Sequence, residues 1–392
     1  MKSFQEEWKK IKEHYSSPEY QTSLRNAKSI LRGKPFVLYG AGTEGAEYAN
    51  ILNYAECLPL CFCDKNKTGW DAVSGLSIIS PARLLDDYKD TNILISSSLY
   101  RSEIESELYA MGVGNERILP KKLLLQLLLD LCSGEKVFQK KYLKRSQYLM
   151  LFNALSEMMR DEKCVQFQGC IRTYDSLEDE LSRKVFLDYL KLCFIAVPVC
   201  PSPIEDQYFD PIMELSDKEV FVDCGAYTGD TAEAFMNRVD GKYKHYYAFE
   251  PDPDNYSKTE EFLKNKHDTT VIPSGLWSKE TTLCFKEGYA SCSKVEEEGE
   301  VTVKVCALDQ YFARKEDIPT IVKMDIEGSE LEALKGAEVL IRSHKPKLAI
   351  CIYHKPEDMY EIPDYIRSIR EDYRFYVRHY TDTFDELVLY AI

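Results

Sequence analysis

Glu219-Val220-Phe221-Val222-Asp223-Cys224-Gly225-Ala226-Tyr227-Thr228-Gly229-Asp230-Thr231 is the stretch whose reading decides the fold. Residues 219–224 are a short apolar run ending in a carboxylate, as a buried parallel strand does on leaving its sheet. Gly225 and Gly229 then let the backbone turn tightly and approach a ligand with no Cβ in the way. A helix follows, and a second apolar run, Tyr246 to Phe249, stops at Glu250-Pro251-Asp252-Pro253. An acid at a strand end about twenty residues beyond a glycine turn is placed to accept hydrogen bonds from the two hydroxyls of a ribose.

The turn is G-x-x-x-G after an acid, not G-x-G-x-x-G, and so suits a ligand without a pyrophosphate. Asp223 would repel phosphate and attract an ammonium group. S-adenosylmethionine carries both an ammonium and a ribose. The plainer alternative is a strand, turn and helix with a buried acid.

The chain has 392 residues, long enough for about two to three domains with cores of their own. A net charge of −15 opposes a phosphate backbone at long range, so no nucleic-acid partner is expected. The thirteen cysteines are scattered, several of them inside apolar runs (Cys193, Cys306, Cys351), which suits buried thiols in a reducing compartment. No cysteine or histidine set has zinc spacing, and no metal is expected. Without an apolar leader at Met1 or a run of membrane-spanning length, the expected location is cytoplasmic.

Residues 1–32 read as an amphipathic helical lead-in with Trp8, Ile11 and Tyr15 on one face. Pro35 to Tyr39 is a strand running into Gly40-Ala41-Gly42-Thr43-Glu44-Gly45, a G-x-G-x-x-G, and Leu58 to Cys63 is a second strand ending at Asp64. Ser80-Pro81 opens a helix, Asn92 to Ile95 is a strand, and Arg117 to Pro120 a last short one. This doubly wound unit resembles the nucleotide-binding Rossmann domains at the front of some surface-polysaccharide proteins. Two readings stand side by side: Gly40, Gly42, Gly45 and Asp64 bind a nucleotide or dinucleotide, or the unit is a relic that positions the other domain. From Lys121 to about Leu215 the pattern turns helical, with prolines at 198, 201 and 203 breaking it.

Beyond Glu250, the turn Ser274-Gly275-Leu276-Trp277 is expected beside the adenine, and Glu296 to Glu300 is an acidic solvated turn between two inserted strands. Thr320 to Met324 is a strand with Asp325-Ile326-Glu327-Gly328-Ser329-Glu330 at its exit and a helix through Leu331, Leu334 and Leu340. Lys347 to Tyr353 is another strand, ending at His354. Asp325, Glu327 and His354 should therefore converge at the edge that holds Asp223 and Glu250. Phe375 to Tyr380 and Glu386 to Ile392 alternate as an antiparallel pair at the sheet edge.

Val222 to Thr231, Ala248 to Pro253 and Val322 to Glu330, in this order and spacing, resemble the FkbM family of S-adenosylmethionine-dependent methyltransferases. The resemblance implies a class I methyltransferase sheet of about seven strands over residues 216–392, with the last hairpin antiparallel. It implies O-methylation of a sugar or small metabolite. Tyr227 stands where many relatives carry Asn. The whole chain then reads as α/β, two doubly wound Rossmann-like domains (1–120 and 216–392) joined by a helical segment (121–215), with a homo-oligomer left open. Expected cofactor contacts are Asp223, Gly225, Ala226, Tyr227, Thr228, Gly229, Asp230, Thr231, Glu250, Pro251, Ser274, Leu276 and Asp325.

Methyl transfer to an alcohol needs a lone pair aimed at the methyl group and a destination for the proton. His354 is the expected base, with Asp325 or Glu327 orienting it. The alternative is that Asp325 caps the next helix while His354 only bonds a neighbour. A nucleotide-binding scaffold without turnover is a second hypothesis. A nucleic-acid methyltransferase is disfavoured by charge and by the lack of an Asn/Asp-Pro-Pro-aromatic tetrad after the third motif.

Overall fold

The computed structural model describes residues 3–72, 74–97, 100–120, 122–134, 157–195, 201–204, 206–285, 301–381 and 384–392. Pro198 and the acidic run 296–300 lie outside the described residues. The chain divides into two compact units, one of Gln5–Ser156 and Lys191–Pro198, the other of Met1–Phe4, Glu157–Leu190 and Val199–Ile392. The helical stretch 121–215 contributes to both.

In the first unit the lead-in is two helices, Phe4–Ser16 and Pro18–Gly33, because Pro18 cannot continue the first and Ser17 caps the second by accepting from Tyr20 N. Five strands follow, β1 (Phe36–Tyr39), β2 (Phe62–Cys63), β3 (Gly69–Trp70), β4 (Ser77–Ile79) and β5 (Asn92–Ile95), ordered β3-β4-β2-β1-β5. β1 is parallel to β2 and β5 and fully buried. Ser80 and Pro81 open the helix Pro81–Asp87, as their order predicts. The second strand is shorter than expected because Leu58 and Leu60 face solvent, 59% and 49% exposed. The expected strand at 117–120 is a 3-10 turn, Asn115–Arg117, with a single bridge from Ile118 to Ile93.

The other unit is built on seven strands: β6 (Val220–Cys224), β7 (His245–Phe249), β8 (Thr269–Ile272), β12 (Ile321–Met324), β13 (Lys347–Cys351), β14 (Phe375–His379) and β15 (Leu387–Ala391). Their order is β14-β15-β13-β12-β6-β7-β8. Pairs from β13 to β8 are parallel, and β15 runs antiparallel to both β13 and β14. The last strand thus lies inside the sheet with all five residues buried, and the edge belongs to β14. β9 (Gly275–Leu276), β10 (Thr281–Phe285) and β11 (Val301–Cys306) make a separate three-stranded sheet.

Both faces of β6 and β12 are covered, so apart from Asp223 and Lys323 their sequences are apolar without alternation. Phe221 stacks on Tyr246 with ring centroids 5.3 Å apart and packs on Phe235 at 4.7 Å; burying each such ring stabilises the fold by about 1.5–3 kcal/mol. The helix expected through Leu340 is two, Glu330–Lys335 and Glu338–His344. They break at Gly336, where a Cβ would stand 2.1 Å from the carbonyl of Trp277. The chain leaves β6 toward β7 and β8 on one side and returns to β12 and β13 on the other. Ligands in open parallel sheets bind beyond the carboxyl ends of strands at such a reversal.

Candidate active site

At that reversal Gly225 and Asp325 meet. Gly225 has φ +83°, and a Cβ there would stand 2.0 Å from the carbonyl oxygen of Asp325, so both conformation and space require glycine. Gly225 N and Ala226 N both donate to the carbonyl of Phe249, at 3.0 and 3.1 Å, which ties the turn to the end of β7. Gly229, at φ +92°, starts the helix Asp230–Arg238 and abuts the Phe262 ring.

Beneath the turn lies an ion pair that the motif reading did not anticipate. Lys323 Nζ is 2.9 Å from Asp223 Oδ1 and donates to the Gly225 carbonyl at 2.7 Å, while Tyr246 donates to Asp223 Oδ2. Asp223 and Lys323 are 0% and 2% exposed. Burial pulls the lysine pKa down, but Asp223 beside it, with Asp325 farther off, outweighs burial and holds the ammonium above the ordinary lysine value. Asp223 therefore has its partners already, and the expectation that it takes a ligand's ammonium does not fit this geometry. It acts on the turn through Lys323.

Glu250 is buried, and each of its oxygens accepts one backbone N–H, from Tyr227 at 2.8 Å and from Asp252 at 2.9 Å. Burial raises its pKa against those two bonds. Each oxygen keeps a lone pair for a further donor, so the residue fits a vicinal diol. Tyr227, at φ +47°, leaves its side chain 60% exposed, and its carbonyl accepts from Thr259. Thr231 is buried, Thr228 half-buried, and Asp230 exposed on the first helical turn. Pro251 adjoins Gly275, but Ser274 bonds the carbonyls of Gly275 and Lys304 and Leu276 is core, so these two serve the three-stranded sheet.

Beyond β12 and β13 the acids and the histidine converge. His354 Nε2 is 3.4 Å from Asp325 Oδ1 and 3.6 Å from Glu327 Oε2, and Nδ1 is 3.1 Å from Glu330 Oε1. Glu330 Oε1 also accepts the N–H groups of Ile326 and Gly328, folding the exit loop around itself. Asp325 accepts the hydroxyls of Tyr208 (2.9 Å) and Tyr353 (3.2 Å) and does not cap the helix that follows. Burial alone would discharge His354; Glu330, then Asp325 and Glu327, hold its pKa up to about 10. Burial pushes Asp325 up, but Lys323, His354 and the two tyrosines bring it below the ordinary carboxylate value.

Partial burial, with Asp325 and Glu330 as like charges, raises Glu327 to about 7 although His354 opposes it. Burial and Asp325 likewise raise Glu386 to about 7, against a hydrogen bond from Gln207. Tyr208, Tyr227, Glu327 and Glu386 have left-handed backbones, as do five non-glycine residues elsewhere among the described residues, a conformation that side chains with a Cβ seldom adopt. Lys323, Tyr208, Glu330 and Glu386 were not singled out from sequence. A lysine within a buried four-residue parallel strand was the one available signal, for Lys323.

In the other unit, Gly40 has φ +115°, and a Cβ on Gly45 would stand 1.9 Å from the Gly40 carbonyl, while Gly42 has open space around its Cβ position. Asp64 turns back on the loop: Oδ2 accepts Ala41 N at 2.8 Å, and Oδ1 accepts Asn66 N and Lys67 N. Among the described residues no helix is long and apolar enough to cross a membrane.

Residues 223–375 match the family described as the methyltransferase FkbM domain, and 34–119 match one described as C2185-like, N-terminal. Over 136 residues the chain is 31% identical to the hexuronic acid methyltransferase AglP of Haloferax volcanii, covering 33% of this chain and 54% of that relative. The chain thus spans about half the length of that relative. The crystal structure of methyltransferase FkbM from Methylobacillus flagellatus is 23% identical and superposes with a TM-score of 0.65, covering 94% of this chain and 93% of that one. At that identity the likeness is one of fold. With the three motifs gathered at one sheet edge, residues 223–375 are a methyltransferase FkbM domain.

Proposed function

We propose that the chain is an S-adenosylmethionine-dependent O-methyltransferase acting on a sugar hydroxyl in polysaccharide biosynthesis. The observation that carries this reading is the position of Glu327, His354 and Asp325 beyond β12 and β13, with Asp325 packed on the glycine turn at Gly225. The sugar class is favoured by the relative named a hexuronic acid methyltransferase. Glu250 and the 225–231 turn would hold the cofactor, which when bound supplies an electrophilic methyl group.

The chain's own residues manage the proton. A base works best with a pKa near the working pH. Glu327, at about 7 and half-exposed, meets that condition, whereas His354 is held protonated by three carboxylates. Glu327 therefore receives the acceptor's hydroxyl proton, His354 balances the charge, and Asp325 is fixed by Tyr208 and Tyr353 to orient the set. This moves the base from His354, where sequence placed it. Base catalysis of this kind contributes roughly 10²–10⁴-fold. The 1–120 and 216–392 parts are read as two Rossmann-like domains joined by 121–215, the first of them taking a nucleotide.

The test is incubation of the full chain with methyl-labelled S-adenosylmethionine and glycans of the host. Labelled sugar and S-adenosylhomocysteine are expected. Cofactor binding without product would leave a non-transferring scaffold instead.

A further inference from the structure

The exit loops of β12 and β13 and the loop before β15 place carboxylates around the point where Glu327 would meet its acceptor, and they are not equally compensated. Asp325 faces Lys323 and His354, and Glu330 faces His354. Glu327 has only the far side of the shared histidine, at 3.6 Å, and Glu386 has no ion-pair partner among the described residues, its one side-chain bond coming from the neutral amide of Gln207. Asp385 adds a further acid to the fields of both. Lys355, the next cation along the chain, is turned onto the carbonyl of Gly328.

A second observation concerns the histidine at the centre of these acids. His354 is 4% exposed, and its Nε2 has no hydrogen-bond partner among the described residues. Nδ1 is paired with Glu330, but Nε2 lies 3.4 Å from Asp325 and 3.6 Å from Glu327 and makes a hydrogen bond with neither. A buried N–H left without an acceptor is destabilising. A hydroxyl oxygen entering between the two carboxylates would satisfy it.

We infer that the acceptor is a sugar without a carboxylate, neutral or amino-substituted, whose hydroxyl docks against His354 Nε2 while a neighbouring hydroxyl or ammonium donates to Glu386. A hexuronate, the class in the name of the half-length relative, would bring a further negative charge into a site where Asp325 and Asp385 already disfavour the ionised forms of both Glu327 and Glu386. Like charges repel one another more strongly in a partly desolvated site than in water. The inference rests on the sugar O-methyltransferase reading and narrows it.

The experiment uses the full chain, labelled S-adenosylmethionine and the host's total glycan, followed by acid hydrolysis to monosaccharides and anion-exchange separation. Label is expected in the unretained sugars. Label confined to the anion-retained sugars overturns the charge selection and leaves the methyltransferase reading standing, whereas no label in either fraction removes both. Glu386→Gln supplies an independent arm with matched glycosides. It should raise transfer to a hexuronide relative to the hexoside by roughly tenfold or more, and an unchanged ratio would remove Glu386 from the acceptor site.

Discussion

Nδ1 of His354 lies 3.1 Å from Oε1 of Glu330, and both side chains are shut off from solvent. The pair stands behind Asp325 and Glu327 and fixes the charge that these acids experience. Because folding raises the His354 pKa to about 10, the stability it contributes is complete below the unfolded value of about 6.5 and is lost as pH rises through about 10. The melting temperature of the parent should fall between pH 7 and pH 10.5. Glu330→Gln should flatten that fall and cost about 3–5 kcal/mol at pH 7 in denaturant titration. An unaltered slope would dissolve the pairing.

The rate should follow two groups. With Glu327 titrating at about 7 and His354 at about 10, kcat/KM for the acceptor should be bell-shaped with limbs near those values. Glu327→Gln should lower kcat by roughly 10²–10⁴-fold and abolish the acidic limb. If His354→Gln instead removes the acidic limb, the histidine is the base after all.

Glu327 also sets a stability trade. Its folded pKa is above the ordinary 4.5, so relative to the unfolded chain its contribution is most favourable below that value and declines as pH rises through about 7. Glu327→Gln should melt at a higher temperature than the parent at pH 8 and at the same temperature at pH 4. Thermal melts at the two pH values decide it.

Lys323 holds the Gly225 carbonyl from below. Lys323→Met leaves Asp223 buried without its counter-ion, with an expected loss of about 3–5 kcal/mol. The double variant Lys323→Met with Asp223→Asn removes both ions and should recover part of that stability while still binding the cofactor more weakly than the parent by calorimetry, since the turn has lost its tie. Full recovery of binding would confine the pair to a packing role.

The N-terminal glycines separate packing from ligand. Gly45→Ala meets the Gly40 carbonyl and should unfold its unit, whereas Gly42→Ala meets nothing and should melt like the parent. If the loop cradles a pyrophosphate, Gly42→Ala should nonetheless lose affinity for NAD or a nucleotide-sugar in a titration. Equal binding by parent and variant would make the loop structural.

The sequence by itself determined the strand-turn-acid units, since buried parallel strands are apolar runs and a backbone turn at positive φ needs glycine. Gly225, Glu250 and the helix start at Ser80-Pro81 were legible for that reason, as was the convergence of Asp325, Glu327 and His354 at one sheet edge. Strand lengths were not, because the exposure of Leu58 and Leu60 depends on neighbours that local pattern does not contain. Only the tertiary structure decided who pairs with whom: Asp223 with Lys323, Asp64 with the N–H of Ala41, His354 with Glu330. A motif names the charges, but their protonation follows from distance and burial. Those are set by chain segments 23 residues apart where Ala41 meets Asp64 and 117 apart where Tyr208 bonds Asp325.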